Sequence, residues 1–248
     1  MADNYFILGA GGGIANALAR LLKEDGANVF LAGRRAETIE PLAAELNSPF
    51  RIIDGTDCVQ VDQAVRDAQQ EFGSLHGAAN LIGSVLLKPA HLTSPQEWVD
   101  VIQTNLTSAF ALIRATATRL DPQGGSIVLM SSAAAQTGLA NHEAIAAAKA
   151  GVEGLARSAA ATYAHRQVRV NAVAPGLVTT KLTERVWNQP KAAEISKGLH
   201  PLGRFGTPEE VARAIQFLLS PAQNWITGQT LGVDGGLGKL KTVPRPTA

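Results

Sequence analysis

Cysteine occurs once in the 248 residues, as Cys58, so no internal disulfide can form. A chain of this size without disulfides suits a reducing compartment, and the reading is cytoplasmic. No histidine lies near Cys58 in sequence, so it reads as a small, partly buried side chain rather than a nucleophilic thiol. Charge of one sign is also missing: 22 Lys and Arg stand against 21 Asp and Glu, a net charge of +1. The basic residues are scattered with no aromatic-basic stripe, which argues against nucleic acid or an anionic membrane as partner. No apolar run is long enough to cross a bilayer. Met1-Ala2-Asp3-Asn4 leads straight into an apolar strand, without a charged n-region or a cleavage site, so no signal peptide is expected. Tyrosine is scarce as well, with Tyr5 and Tyr163 the only phenols.

What is present is an alternation. The length suits one large α/β domain, and no fixed-period repeat or linker divides it, so residues 1–248 read as one unit. Short apolar runs at Tyr5–Leu8, Asn28–Ala32, Phe50–Ile53, Gly77–Leu81, Ser126–Ser131, Arg169–Val173 and Thr230–Val233 read as strands. Segments of helical period lie between them, at Ile14–Asp25, Ala36–Leu46, Cys58–Glu71, Gln96–Arg119, Ala144–Ala164 and Pro208–Leu218. Right-handed crossovers then predict a Rossmann-type, doubly wound parallel sheet of about seven strands with helices on both faces. Lys181–Phe205, with Trp187, Pro190 and Pro201, fits no strand and reads as a long irregular excursion near 181–206 over a substrate. The tail from Leu237 to Ala248, carrying Pro244 and Pro246, reads as extended.

The first strand runs into Gly9-Ala10-Gly11-Gly12-Gly13-Ile14-Ala15 and then a helix. Glycines there let the backbone turn sharply and approach a pyrophosphate, which sits on the unpaired N–H groups of the helix N-terminus. A glycine cluster alone marks only a tight turn; at the first strand–helix junction, ahead of a second strand, it favours a dinucleotide. The second strand ends Leu31-Ala32-Gly33-Arg34-Arg35. Ala32 cannot hold the ribose hydroxyls as an acid would, whereas Arg34 and Arg35 offer guanidinium groups to a 2′-phosphate. The cofactor reading is therefore NADPH/NADP+. Asp54, at the end of the third strand, is placed at the adenine edge. No metal-ligand pattern is present.

These motifs resemble the short-chain dehydrogenase/reductase family over Tyr5 to about Gly236. The glycine turn is similar to the family's TGxxxGxG, and Asn80-Leu81-Ile82-Gly83 stands at its NNAG. Gln103-Thr104-Asn105-Leu106 places Asn105 at the catalytic asparagine. Ile127-Val128-Leu129-Met130-Ser131-Ser132 resembles the strand that ends in the catalytic serine. Arg169-Val170-Asn171-Ala172-Val173-Ala174-Pro175-Gly176, Thr227-Gly228-Gln229-Thr230 and Val233-Asp234-Gly235-Gly236 match further. The resemblance implies cofactor contacts from Gly9, Gly11, Gly12, Gly13, Ile14, Asn80, Gly83, Lys149, Pro175, Gly176, Val178 and Thr180.

The family's catalytic group is Asn, Ser, Tyr and Lys, the last two spaced YxxxK. Here that stretch reads Ile145-Ala146-Ala147-Ala148-Lys149, and isoleucine has no proton to give. The family's Ser-to-Tyr spacing of 13, counted back from Ile145, selects Ser132 over Ser131. Asn105 and Lys149 complete the retained group, with Lys149 also implied to bond the nicotinamide ribose. His142 lies seven residues before Lys149, where the related enoyl-reductase branch places its tyrosine, and is the local candidate for a substitute acid. Polar residues at a helix start serve equally as caps. Two readings follow. The first is an NADPH-dependent reductase of a small carbonyl, quinone or activated enone with altered or weakened proton donation. The second is a non-catalytic NADPH-binding sensor or structural subunit. Apolar residues on the outward faces of Gln96–Arg119 and Ala144–Ala164 predict a homotetramer, or failing that a homodimer.

Overall fold

A computed structural model describes residues 2–241. In chain order it contains β1 (Asn4–Leu8), α1 (Gly13–Glu24), β2 (Asn28–Gly33), α2 (Ala36–Leu46), β3 (Phe50–Ile52), α3 (Cys58–Phe72), β4 (Gly77–Asn80), α4 (Pro95–Ile102), α5 (Ser108–Thr116), β5 (Gly125–Met130), α6 (Glu143–Tyr163), β6 (Val168–Pro175), α7 (Glu184–Trp187), α8 (Pro190–Leu199), α9 (Pro208–Leu219) and β7 (Thr230–Val233). The seven strands form one parallel sheet in the order β3-β2-β1-β4-β5-β6-β7. The winding direction reverses between β1 and β4. That places a crevice at the carboxyl ends of these two strands, where open α/β sheets bind ligands.

Both faces of the sheet are covered, which is why its central strands read as continuous apolar runs. Along β1 the side chains alternate: Phe6 and Leu8 pack with Val61, Leu112 and Val152 from α3, α5 and α6. Tyr5 and Ile7 face Leu18, Leu22, Val211 and Ile215 from α1 and α9. Ala15, Leu18, Ala19 and Leu22 stand at helical spacing and form the buried stripe of α1. Pro208 at the first turn of α9 and the reciprocal Thr207–Glu210 capping box fix where that helix begins.

The sequence expectation of a single regular helix over Gln96–Arg119 needs correction. Ser94 and Glu97 form a capping box that starts α4 at Pro95, and a π turn over Gln103–Thr107 separates α4 from α5. Side chains compete with the backbone ladder there: Asn105 Nδ2 and Ser108 Oγ donate to the carbonyls of Val101 and Thr104. The 181–206 segment is likewise not irregular throughout, because it holds α7 and α8, with Pro190 at the first turn of α8. The third strand ends at Ile52, leaving Asp54 in the loop beyond it. After β7 the chain turns tightly, with Leu237, Lys239 and Leu240 N–H donating back to Asp234 and Gly236, so it is not extended there. Pro244 and Pro246 lie outside the described residues. Among the described residues no helix is long and apolar enough to cross a membrane.

Candidate active site

The glycine turn sits at the mouth of the crevice. Gly9 adopts φ +90°, and a Cβ there would stand 2.7 Å from the Ile82 nitrogen, so the backbone passes close under the loop after β4. Gly9 and Ala10 N–H both donate to the Ala32 carbonyl, at 2.8 and 3.0 Å, which ties the turn to β2. Gly12 is the N-cap of α1 and offers no side chain. The first N–H groups of the helix, around Gly13 and Ile14, therefore lack a side-chain cap and suit an anion. Gly11 and Gly12 complete the turn. Thr180, from the segment after β6, flanks Gly13, its Cγ2 3.4 Å from where a Cβ would stand.

At the end of β2 Ala32 is fully buried in the core. Arg34 and Arg35 are exposed at the helix entry, and neither is ion-paired within the described residues. Asp54 is exposed too, and its Oδ1 accepts the Thr56 N–H and hydroxyl, both at 2.9 Å.

Deeper in the crevice, buried Asn80 donates to Ser108 Oγ at 3.0 Å and accepts from the Ile82 N–H at 2.9 Å, holding the loop that follows β4. Asn105, in the π turn, donates to Ser84 Oγ at 2.9 Å and accepts from the Ser84 N–H at 3.1 Å. A Cβ on Gly83 would lie 3.5 Å from Asn105 Oδ1 and 3.8 Å from Lys149 Nζ, so this glycine is the narrow partition between the two. Lys149 is 4% exposed, and its Nζ donates to the Met130 carbonyl at 2.8 Å. Burial lowers its pKa to about 7.

Ser131 turns into α6, where its hydroxyl donates to Glu153 Oε1 at 2.8 Å. Ser132 is the less buried of the pair, and its Oγ accepts the Ala134 N–H at 3.2 Å. Ile145 is buried in an apolar cluster with Val101, Ala144 and Ala148, against which Leu86 and Ile102 pack. Neither tyrosine comes near it. The Tyr5 hydroxyl donates to Asp3, and Tyr163 ends α6 about 20 Å along the axis from Lys149. His142 is the N-cap residue of α6, and its Nδ1 donates to the Ala140 carbonyl at 2.8 Å. Seven residues of helix put it about 10 Å from Lys149 along the axis, at the rim rather than beside the amine.

Three contributors escaped the sequence reading. His200, 4% exposed, donates from Nδ1 to the Ser196 carbonyl at 2.7 Å and accepts the Leu177 N–H on Nε2 at 3.0 Å. These bonds staple α8 to the Pro175–Gly176 turn, close to Val178. A Cβ on Gly176 would sit 2.7 Å from Nε2, so that glycine makes room for the imidazole. Arg185 of α7 donates across the crevice to the Val85 carbonyl at 2.7 Å. Ser84 carries both bonds to Asn105. The His200 and Arg185 partners lie 23 and 100 residues away, beyond any local motif. At the other end of this segment Arg204 binds Glu210 and holds its carboxyl down to about 2.

A family model described as enoyl-(acyl carrier protein) reductase matches residues 9–238. A D-threitol dehydrogenase of Mycolicibacterium smegmatis is 37% identical over 236 residues, covering 93% of this chain and 90% of the relative. The chain belongs to the short-chain dehydrogenase/reductase family. A 3-oxoacyl-(acyl-carrier-protein) reductase FabG of Thermotoga maritima is 36% identical over 93% of this chain and 96% of its own. Among solved structures, a short-chain type dehydrogenase/reductase from Mycobacterium ulcerans superposes with a TM-score of 0.91 at 28% identity, covering 95% of this chain and 90% of that one. An actinorhodin polyketide ketoreductase variant with NADPH gives 0.88 at 26% identity, covering 96% and 98%. The chain is thus a family oxidoreductase of the type that uses a nicotinamide cofactor. The glycine cradle, which a Cβ would fill, and the uncapped α1 N-terminus fit such a dinucleotide.

Proposed function

We propose that this protein is an NADPH-dependent reductase of a small carbonyl, quinone or activated enone, working without the family's phenolic acid. The observation that carries the reading is Lys149, buried beside Gly83 and Asn105 below the glycine cradle, with isoleucine one helical turn before it. In this reading the cradle from Gly9 to Ile14 holds the pyrophosphate and Arg34 and Arg35 hold the 2′-phosphate. Asp54, Asn80, Gly83, Pro175, Gly176, Val178 and Thr180 line the rest of the cofactor. When bound, the nicotinamide supplies a hydride to the acceptor carbon. Ser132 orients the acceptor oxygen, Asn105 fixes the loop at Gly83 and Ser84, and the Ile145 cluster excludes water.

The segment bearing α7 and α8 closes over the acceptor. The small-molecule substrates in the names of the relatives agree with this choice, as does the NADPH in the ketoreductase structure. Exposed Trp98, Val99 and Phe110 on α4 and α5 support assembly through this face, as a homotetramer or homodimer in the cytoplasm. The test is single-turnover oxidation of bound NADPH across ketones, quinones and enones. Tight NADPH binding with no oxidation by any acceptor would instead support the non-catalytic sensor or structural subunit.

A further inference from the structure

We propose that Lys149 is itself the proton donor of this site, its ε-ammonium taking the part that a phenol at position 145 would play. The inference rests on the reductase reading and adds to it the identity of the acid. Lys149 Nζ donates to the Met130 carbonyl, the one hydrogen-bond partner that the described residues give it. An ammonium carries three N–H groups, so two are left, one for the nicotinamide ribose that the family resemblance implies and one for an acceptor oxygen. Gly83 removes any side chain from the space in front of the nitrogen, and Ile145 puts no hydroxyl between the nitrogen and an acceptor.

The rival donors are engaged or distant. His142 is bonded to Ala140 and lies at the rim. Ser131 and Glu153 bond each other, with Gln136 also donating to Glu153 at 3.1 Å. Around the amine, β5 presents Met130 O, the loop after β4 presents Gly83, and the π turn presents Asn105. None of these titrates. Burial then sets the acidity, and the resulting pKa of about 7 is where a general acid is both protonated and willing to transfer.

The step balances simply. As hydride from the reduced nicotinamide forms the new C–H bond, a Lys149 N–H bond breaks and an O–H bond forms on the former carbonyl oxygen. The carbonyl is reduced to an alcohol and the nicotinamide is oxidised. The neutral amine left behind regains its proton from solvent.

Two measurements test this, one of them independent of turnover. Carbon-labelled lysine, followed by NMR and assigned with Lys149→Arg, should show one ε-carbon titrating near neutrality. A midpoint for Lys149 at the ordinary value of about 10.4 overturns the proposal. In single turnover with an activated ketone, the wild-type rate should fall about tenfold per pH unit above that midpoint. Lys149→Arg keeps the cation but cannot release a proton near neutrality. At saturating NADPH its rate should drop roughly 10²–10⁴-fold and lose the pH dependence. A flat wild-type profile, or an arginine variant as fast as wild type, refutes Lys149 as donor and leaves the reductase reading standing. NADPH that binds but reduces no acceptor overturns both. Should the arginine variant fail to fold, the wild-type titration and pH profile decide the matter unaided.

Discussion

Replacing Ile145 with tyrosine places a phenol where the family resemblance implies one, and the structure sets the size of the effect. Ile145 is 4% exposed among Val101, Ala144, Ala148, Leu86 and Ile102. A tyrosine there must displace some of these neighbours, and overpacking of a buried site costs about 1–3 kcal/mol. Its hydroxyl gains a partner in return, because residues four apart on α6 have Cβ atoms roughly 5–6 Å apart and Lys149 holds spare N–H groups. A positioned general acid contributes about 10²–10⁴-fold to rate. With Lys149 already donating in the native protein, the gain should fall at or below the low end, at most about 10²-fold on a small activated ketone. Stopped-flow oxidation of bound NADPH measures the rate, and calorimetry run alongside gives the cost in stability. A folded variant that binds NADPH normally yet gains about 10⁴-fold would refute the reasoning, because the native protein would then lack a working proton donor.

The cofactor site predicts at least tenfold preference for NADPH over NADH, about 1.4 kcal/mol, lost in Arg34→Ala and measurable by calorimetric titration with both cofactors. His200→Ala leaves the Leu177 N–H and the Ser196 carbonyl unpaired. It should lower stability by about 1–3 kcal/mol and speed hydrogen exchange over residues 190–205, and unchanged exchange would show that His200 is no staple. Light scattering should find a tetramer or dimer that weakens when Phe110, 49% exposed, becomes Glu; a wild-type monomer at micromolar concentration refutes it. Lys149→Met should raise stability near neutral pH. The wild-type pKa is lower folded than unfolded, so the unfolded chain binds more protons between about pH 7 and pH 10.5. Wild-type stability therefore rises with pH across that window, and chemical denaturation should show the slope vanish in the methionine variant.

The sheet was legible because its signal is local. Ile7 and Leu31, or Phe6 and Ile127, sit in apolar runs too short for helices, and a parallel sheet covered on both faces needs such runs. The glycine turn was legible for the same reason, since Gly9 to Ile14 are contiguous. The errors arose where side chains overrule the backbone pattern. The π turn depends on Asn105 and Ser108 donating to carbonyls four residues back, which no periodicity announces. Within residues 181–206, Pro190 reads as part of an irregular stretch, although a proline in the first turn starts α8. Asp54 was assigned to a strand end because Ile53 continues the apolar run, yet pairing stops at Ile52. His200 and Arg185 act across folded distances and carry no motif.

Lys149 is where sequence and structure pull apart most sharply. Flanked by Ala146, Ala147, Ala148 and Ala150, it reads as one polar point on an alanine-rich helix, a residue for water. The fold buries it instead, and among the described residues it has one carbonyl as partner and no carboxylate to balance it. Burying an amine in this way costs free energy, and an apolar side chain of similar length would join α6 to β5 without that cost. Packing therefore does not explain the residue, and a ligand does. Ile145, one helical turn before Lys149, lies in a buried apolar cluster of its own. By the same desolvation that makes Lys149 expensive, its burial brings its acidity into the range where proton transfer to a carbonyl is efficient.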